Sequence, residues 1–211
     1  MTELDPARDD ASEVGAPAGD PVEAGALRAA MIARALPAIG VGLGITFTAD
    51  HSSRLGLLAL GVLGLASAVA LIGGALRLPR GEALRDLHLG LGVGAGLAGT
   101  IALVLPGTRL SFLLLILGAW ATIAGALELV WGLRHRRGAA GARAGAGHPV
   151  ARDALVVGAG TLGLALVIAL ISDPVSAVGF LGAYGVVVGV FLVIAALSLP
   201  RGTASKEHSP S

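Results

Sequence analysis

The sequence contains six runs of about 20 mostly apolar residues, each bounded by charged residues or proline. A hydrocarbon core of about 30 Å requires roughly 20 such residues at 1.5 Å per helical residue, so every run is long enough to cross a bilayer. The runs extend approximately over residues 29–49, 55–76, 87–105, 110–133, 154–172 and 175–199. The sequence therefore predicts an all-α integral membrane protein with six transmembrane helices.

The composition agrees with a chain that lies in a bilayer. Hydrophobic residues make up 55% of the chain, charged residues make up 14%, and the mean hydropathy is +0.82, which excludes an ordinary soluble surface. A net charge of +1 provides no basic field for nucleic acid. The absence of cysteine excludes disulfides, thiolate nucleophiles and cysteine zinc sites.

The joints between the runs predict the topology. Three of them are short, near residues 50–54, 106–109 and 173–174, which indicates three tandem helical hairpins. Thirteen of the 15 Lys and Arg residues fall on the side of the amino terminus. Because positively charged flanks resist translocation, we expect both termini to be cytoplasmic. The excess of Arg over Lys, beside many Ala and Gly residues, is typical of a GC-rich bacterial genome.

The polar segments are expected to lie outside the membrane domain. Residues 1–27 hold seven acidic side chains and one Arg without apolar periodicity, which predicts a disordered acidic cytoplasmic tail. The six-helix membrane domain then covers residues 28–202. Residues 138–150 are interpreted as a flexible linker, and residues 203–211 as a second cytoplasmic tail.

An internal repeat divides the membrane domain into three copies of one pair of runs. Shifting the sequence against itself by 57 residues aligns Gly42 with Gly99, and a further shift of 64 residues aligns Gly99 with Gly163. An Arg-Gly pair recurs at the end of each copy. The copies cover approximately residues 28–81, 85–138 and 149–202.

The repeated glycines are predicted to lie where helices pack. Helices in lipid gain nothing by hiding apolar surface from one another, so they associate through the close approach that small residues allow. The predicted packing glycines are Gly42, Gly61, Gly99, Gly118, Gly125, Gly163, Gly182 and Gly189. A substrate path lined by glycine is the alternative interpretation.

Glu128 is the only acidic residue inside a predicted span, and an ionisable group within a membrane is a candidate functional site. It lies about five residues from the cytoplasmic end of the fourth run. Arg34 enters the first run from the same side at a similar depth. We therefore predict an intramembrane ion pair between Arg34 and Glu128 that acts as a structural clamp, with a proton-titrating role for Glu128 as the alternative.

A second candidate is the external turn that contains Asp50 and His51, because an unperturbed histidine titrates near the pH range of mild acid. A merely solvated histidine is the alternative. No pair of histidines has the i, i+4 spacing of a metal site. The glycine pattern at 158–163 lies in an apolar run without the context of a dinucleotide site, and no protease or hydrolase motif is present. We therefore expect no metal, no cofactor, no catalytic residue and no enzymatic activity.

The second copy of the repeat carries the most distinctive motifs. It reads LVLPGTRLSFLLLILGAWATIAGALELVWGLRHRR, with Pro106-Gly107 at the outer turn, Gly118-Ala119-Trp120, Gly125 and a basic exit. The third copy keeps Gly182-Ala183-Tyr184 and Gly189 but has Asp173-Pro174 at its turn, whereas the first copy has neither proline nor an aromatic residue at those places and has Ala68 where Gly125 would be. Over residues 28–202 the chain resembles the HdeD-type acid-resistance membrane proteins, which are bacterial six-helix proteins built from three copies of a two-helix repeat.

The resemblance implies a six-helix fold and a role in surviving acid stress at the inner membrane, without an assigned catalytic residue or transported substrate. The expected function is therefore that of a non-enzymatic inner-membrane protein that supports acid or envelope stress tolerance. A channel or transporter for a small solute or for protons is the alternative. The expected partners are the lipid bilayer and either a second copy or another membrane protein, but not nucleic acid.

Overall fold

The computed structural model describes residues 21–105, 109–138 and 147–199, and these residues form six helices and no strand. The helices are α1 (Pro21–Thr46), α2 (Ser53–Ala75), α3 (Ala83–Val104), α4 (Leu110–Gly138), α5 (Gly147–Leu170) and α6 (Pro174–Ser198). Each contains a segment of 20 to 27 residues that is long and apolar enough to cross a membrane. The predicted all-α membrane architecture with six spanning helices is confirmed.

Two helices begin earlier than the apolar runs predict. Helix α1 begins at Pro21 and α5 at Gly147, so residues 21–27 of the expected tail and 147–150 of the expected linker are helical. The polar first turns of these helices precede the apolar part, and apolar content alone therefore misplaces the start. The remainder of the predicted tail (1–20), of the linker (139–146) and the predicted C-terminal tail (203–211) lie outside the described residues.

Side-chain caps start α2 and α6. These helices begin at the end of the bundle where α1, α3 and α5 end, which is here called the turn face. Ser52 accepts a hydrogen bond from the backbone N–H of Leu55 at the start of α2. Asp173 accepts one of 2.8 Å from the N–H of Ser176 at the start of α6, with Pro174 in the first turn. The Ser176 N–H holds the pKa of the Asp173 carboxyl below its ordinary value. The opposite end, where α1 begins and α6 ends, is the terminal face.

The helices form a closed ring in chain order, and their tightest contacts lie between the copies of the repeat. The most extensive packing joins α4 to α5, α2 to α3 and α6 to α1, whereas the predicted hairpin partners touch less. Each tight pair therefore joins the second helix of one copy to the first helix of another, and the α6·α1 contact closes the ring. Helix α2 also touches α4 and α6, so the second helices lie toward the centre.

Six of the eight predicted packing glycines lie at these tight contacts. A Cβ atom added at any of them would come within 3.0 Å of a neighbouring helix. These six are Gly42, Gly182 and Gly189 between α1 and α6, Gly61 and Gly99 between α2 and α3, and Gly125 between α4 and α5. Backbones in these three seams therefore approach as closely as only glycine permits.

The other two predicted glycines do not occupy the α4·α5 seam. An added Cβ at Gly163 would meet nothing within 4 Å, and at Gly118 it would only reach ordinary contact with Ile168, at 3.7 Å. These helices instead approach each other closely at Gly125 and Gly158, and at Gly132 against Ala151, nearer the terminal face. A Cβ at Gly158 would lie 2.7 Å from the backbone nitrogen of Leu129 and 3.0 Å from the Cβ of Glu128. The third seam is therefore displaced from the repeat pattern, toward Glu128.

Large apolar side chains cover the outside of the ring. Phe47, Val69, Leu97, Leu115 and Leu166 each expose more than 60% of their surface. In a membrane-embedded protein such side chains contact lipid, which carries no penalty for apolar exposure.

Gly125 of α4, which lies in the α4·α5 seam, and Gly163 of α5, which does not, offer a matched test of the packing. Gly125→Ala is expected to destabilise the protein by about 1–3 kcal/mol, because the new methyl group overlaps Leu162 and the backbone of Gly158. Gly163→Ala is expected to be neutral or to stabilise by up to about 1 kcal/mol, because its site is open and alanine favours helix. Denaturant unfolding in detergent micelles measures both. Equal destabilisation by the two variants would contradict the displaced seam.

Candidate functional site: a buried ion pair on the bundle axis

The side chains along the bundle axis follow the internal repeat in successive layers. Nearest the turn face, Leu60, Leu117 and Leu181 occupy equivalent positions, here called the leucine ring, and each is no more than 1% exposed. The next layers toward the terminal face are Leu63, Trp120 and Tyr184, then Ser67, Ala124 and Val188, then Leu71, Glu128 and Leu192. The axis is thus apolar at one end and becomes polar toward the other.

The structure brings Arg34 and Glu128 together across the axis. Arg34 Nη2 lies 2.7 Å from Glu128 Oε1, and the two side chains are 17% and 3% exposed. Glu128 lies five residues before Leu133, the last residue of the apolar run, and its side chain is only 3% exposed. A carboxylate at this depth is held between helices rather than at the interface.

The pair interrupts two leucine layers. The repeat aligns Glu128 with Leu71 and Leu192, and it aligns Arg34 with Leu91 and Leu155. The other two copies therefore place leucine where this pair places charge. Buried ion pairs of this kind contribute little net stability compared with apolar residues of similar volume. A stabilising role alone gives no reason for the charges.

Two polar atoms beside the pair have no hydrogen-bond partner among the described residues. They are Glu128 Oε2 and His88 Nδ1, and both are shielded from bulk solvent. An unsatisfied buried acceptor or donor costs about 1–3 kcal/mol, and more when the group is charged. Such groups are found where water or a ligand completes the site.

Glu128 and His88 line a cavity of about 60 Å³, whose walls include residues of all six helices. Arg34, His88, Glu128 and Asp153 contribute its polar wall. A second cavity of about 30 Å³ adjoins it toward the turn face, since both share Arg34 and the leucines at 71, 91 and 192. One water molecule needs about 10–15 Å³ of such volume, so the cavities suit a few waters rather than an organic solute.

Trp120 and Tyr184 close the axial space toward the leucine ring. Their rings meet edge to face with centroids 6.2 Å apart and an interplanar angle of 86°. The Tyr184 hydroxyl lies 2.7 Å from Thr161 Oγ1, and Thr161 donates its own hydrogen to the Val157 carbonyl. Because a threonine hydroxyl has one hydrogen, Tyr184 is the donor in this contact. Tyr184 thus forms a polar bridge between α5 and α6 in addition to its ring contact with Trp120.

The turn that contains Asp50 and His51, which the sequence predicts to be external, does not join this site. Asp50 accepts hydrogen bonds from the Ser52 backbone N–H at 2.9 Å and from the Ser52 hydroxyl at 3.0 Å. His51 Nδ1 lies 3.4 Å from the Ala49 carbonyl. Asp50 therefore shapes the turn before α2, and its partner is Ser52 rather than His51. The turn lies at the opposite end of the bundle from the polar wall of the first cavity.

Sequence reasoning missed His88 and Asp153 as members of the site. His88 precedes Leu91, the repeat equivalent of Arg34, by three residues, so the two share a helical face that the repeat could have identified. Asp153 was assigned to a joint because it precedes the fifth apolar run, but α5 begins at Gly147 and carries it inside, where it is 8% exposed. Within the described ranges, no group of three or more His, Asp or Glu side chains could hold a metal ion.

The chain matches no protein-family model, no curated protein and no solved structure. The geometry of the site therefore carries the functional argument. The arrangement provides one carboxylate oxygen paired with a guanidinium and a second without a hydrogen-bond partner among the described residues, in a side chain that lines a small cavity together with a histidine. Such an arrangement can bind and release a proton and can hold water.

Replacing both charges with leucine tests the pairing. Arg34→Leu and Glu128→Leu are each expected to destabilise the protein by about 3–5 kcal/mol, because each leaves an uncompensated buried charge. The double variant is expected to recover most of this loss, since leucine occupies the equivalent positions of the other copies. Denaturant unfolding of the four proteins measures the coupling. Additive losses in the double variant would show that the two side chains are not paired.

Proposed function

We propose that this chain is a non-enzymatic membrane protein that supports survival in acid, and that the Arg34–Glu128 pair is its acid-responsive group. The observation that carries the proposal is the buried Glu128 carboxylate, whose Oε1 pairs with Arg34 and whose Oε2 has no hydrogen-bond partner among the described residues, in a side chain that lines the first cavity. An ionisable side chain at such a position is a functional site by default.

Protonation of Glu128 changes the balance of charge inside the bundle. The paired state holds one positive and one negative charge in contact, whereas the protonated state leaves the Arg34 guanidinium without its counter-ion. Removing one member of a buried pair is strongly unfavourable. Acid that reaches Glu128 would therefore weaken the contact that joins α1 to α4 across the axis, and the ring would respond as a whole.

The physiological setting comes from the charge distribution and from the motifs. Most Arg residues of the described ranges lie toward the terminal face, which supports a cytoplasmic location of both termini in a bacterial inner membrane. The motifs around Gly118-Ala119-Trp120 and Gly182-Ala183-Tyr184 resemble those of the HdeD-type acid-resistance proteins. Together they favour acid stress at the inner membrane as the condition under which the pair acts.

The proposal is tested by acid survival of a strain that lacks this protein. Wild type is expected to restore survival after an acid shift, and Glu128→Gln is expected to leave survival at the level of the deletion strain, because glutamine cannot change its charge. Glu82→Gln is the matched control, since Glu82 is exposed at the start of α3 and its side chain makes no capping hydrogen bond. Immunoblots of membrane fractions establish equal amounts of each variant.

Two outcomes would contradict the proposal. If wild type and Glu128→Gln restored survival equally, Glu128 would not be required for survival in acid. Absence of any acid phenotype in the deletion strain would remove the acid role altogether.

Proton conduction is a second candidate function, and the axial cavities are the observation that favours it. They bring water-sized space to Glu128 from one end of the bundle. The leucine ring opposes it, because a path through the bundle would require Leu60, Leu117 and Leu181 to separate. The polar cavity and the apolar ring together describe a pathway that is closed at one end.

Proteoliposomes that contain a pH-sensitive dye distinguish the two candidates. The proposal that the Arg34–Glu128 pair responds to acid predicts no proton flux above that of empty vesicles under an imposed pH gradient. Flux that Glu128→Gln abolishes and Glu82→Gln retains would favour the conduction candidate instead.

A further inference from the structure

The first cavity reaches toward the terminal face. Its walls include Leu84 in the first turn of α3 and Val150 in the first turn of α5, both near the terminal ends of their helices. Its deepest polar wall is Glu128, which lies beside Gly158 of α5. The cavity therefore extends from the end of the bundle to the ion pair.

The polar groups that face Glu128 come from several helices. Arg34 lies on α1, His88 on α3 and Asp153 on α5, and all three line the first cavity. Tyr184 of α6 and Ser67 of α2 line the second cavity. Water at a protein site needs two to four polar partners and about 10–15 Å³, and the first cavity of about 60 Å³ satisfies both conditions.

Toward the turn face, the described residues along the axis form no polar wall of this kind. The leucine ring belongs to one continuous apolar core with Leu113, Ala177 and Val178, which lie in the first turns of α4 and α6 and are fully buried. Apolar enclosures of this kind remain dry. The axis is therefore asymmetric, with a polar cavity at the terminal face and a dry barrier at the turn face.

We propose that the first cavity is a hydrated, dead-end proton-binding site that exchanges water only with the terminal face, and in which water connects Glu128 Oε2 with His88 Nδ1. This inference rests on the proposed acid response of Glu128 and gives it a direction. A hydronium ion entering from the terminal face transfers its proton to the Glu128 carboxylate and becomes water, and the reverse step releases the proton to the same side. No other reactant takes part.

The cysteine-free chain allows a direct test with single cysteines. Val157→Cys places a thiol on the cavity wall at a position only 3% exposed, and Val178→Cys places one in the dry barrier at a fully buried position. The two substitutions are chemically identical. Silver ion is the probe because the cavity admits only water-sized species, and thiols left unreacted are counted with a fluorescent maleimide after denaturation.

The reagent is added to one side of sealed vesicles whose orientation is measured. Arg80→Cys at the terminal face and His51→Cys at the turn face, two positions accessible to solvent, report which side the silver ion reaches. Because silver ion reacts with the thiolate, and apolar burial raises a thiol pKa by about two units, the cavity cysteine should react about 100-fold faster than the barrier cysteine.

The expected result is rapid block of Val157→Cys from the terminal face, slow block from the turn face, and slow block of Val178→Cys from either. Equal rates for the two cysteines would show that the cavity is dry. Faster reaction of Val157→Cys from the turn face would reverse the direction of access. Either result overturns the inference.

The role of His88 has its own control. In the Val157→Cys background, His88→Leu is expected to slow the silver reaction about tenfold, because losing the water partner raises the thiol pKa by about one unit. His88→Asn retains a polar partner and is expected to preserve the rate. Equal rates in both variants would show that His88 does not hold the water.

Failure of the inference and failure of the proposed function give different results. A protected Val157→Cys with a lost acid phenotype for Glu128→Gln would leave the acid role intact and refute the hydrated cavity. A reactive Val157→Cys with normal survival of Glu128→Gln would leave the hydrated cavity intact and refute the acid role.

Discussion

Helices inside a bilayer gain nothing by hiding apolar surface from one another, so this ring depends on backbone contact at its glycine seams. Gly42 and Gly182 bring α1 against α6, and Gly61 and Gly99 bring α2 against α3. Because each seam joins the second helix of one copy to the first helix of another, no copy completes its packing alone. Closure by α6 and α1 makes the three copies one structural unit.

The displaced third seam positions the charged group. Helix α5 approaches α4 at Gly125 and Gly158, beside Glu128, rather than at Gly118 and Gly163, which the repeat also selects. Close approach of the α5 backbone restricts the space around the Glu128 side chain, which is buried and lines the first cavity. The departure from the repeat and the buried charge thus occur at one place in the bundle.

Much of this arrangement could be predicted from the sequence. The lengths of the apolar runs predict six spanning helices, and the depths of Arg34 and Glu128 from one end predict that the two side chains could meet. The seam glycines of the first two contacts follow from the repeat. These predictions succeed because they rest on distances along a helix, which the number of residues determines.

The other features of the site depend on how the helices pack against one another and on where each helix starts, which the apolar content of a run does not determine. Gly118 and Gly163 have the right sequence positions, but the sliding of α5 along α4 takes them out of contact. Asp153 enters the site only because α5 starts before its apolar part.

The three copies of the repeat are fused into one chain. In a symmetric trimer of separate, identical hairpins, a glutamate at the position of Glu128 would be present three times around one axis. The three negative charges would then repel one another. Covalent linkage lets each copy differ, so that a single acid and a single base meet on an axis whose other equivalent positions hold leucine.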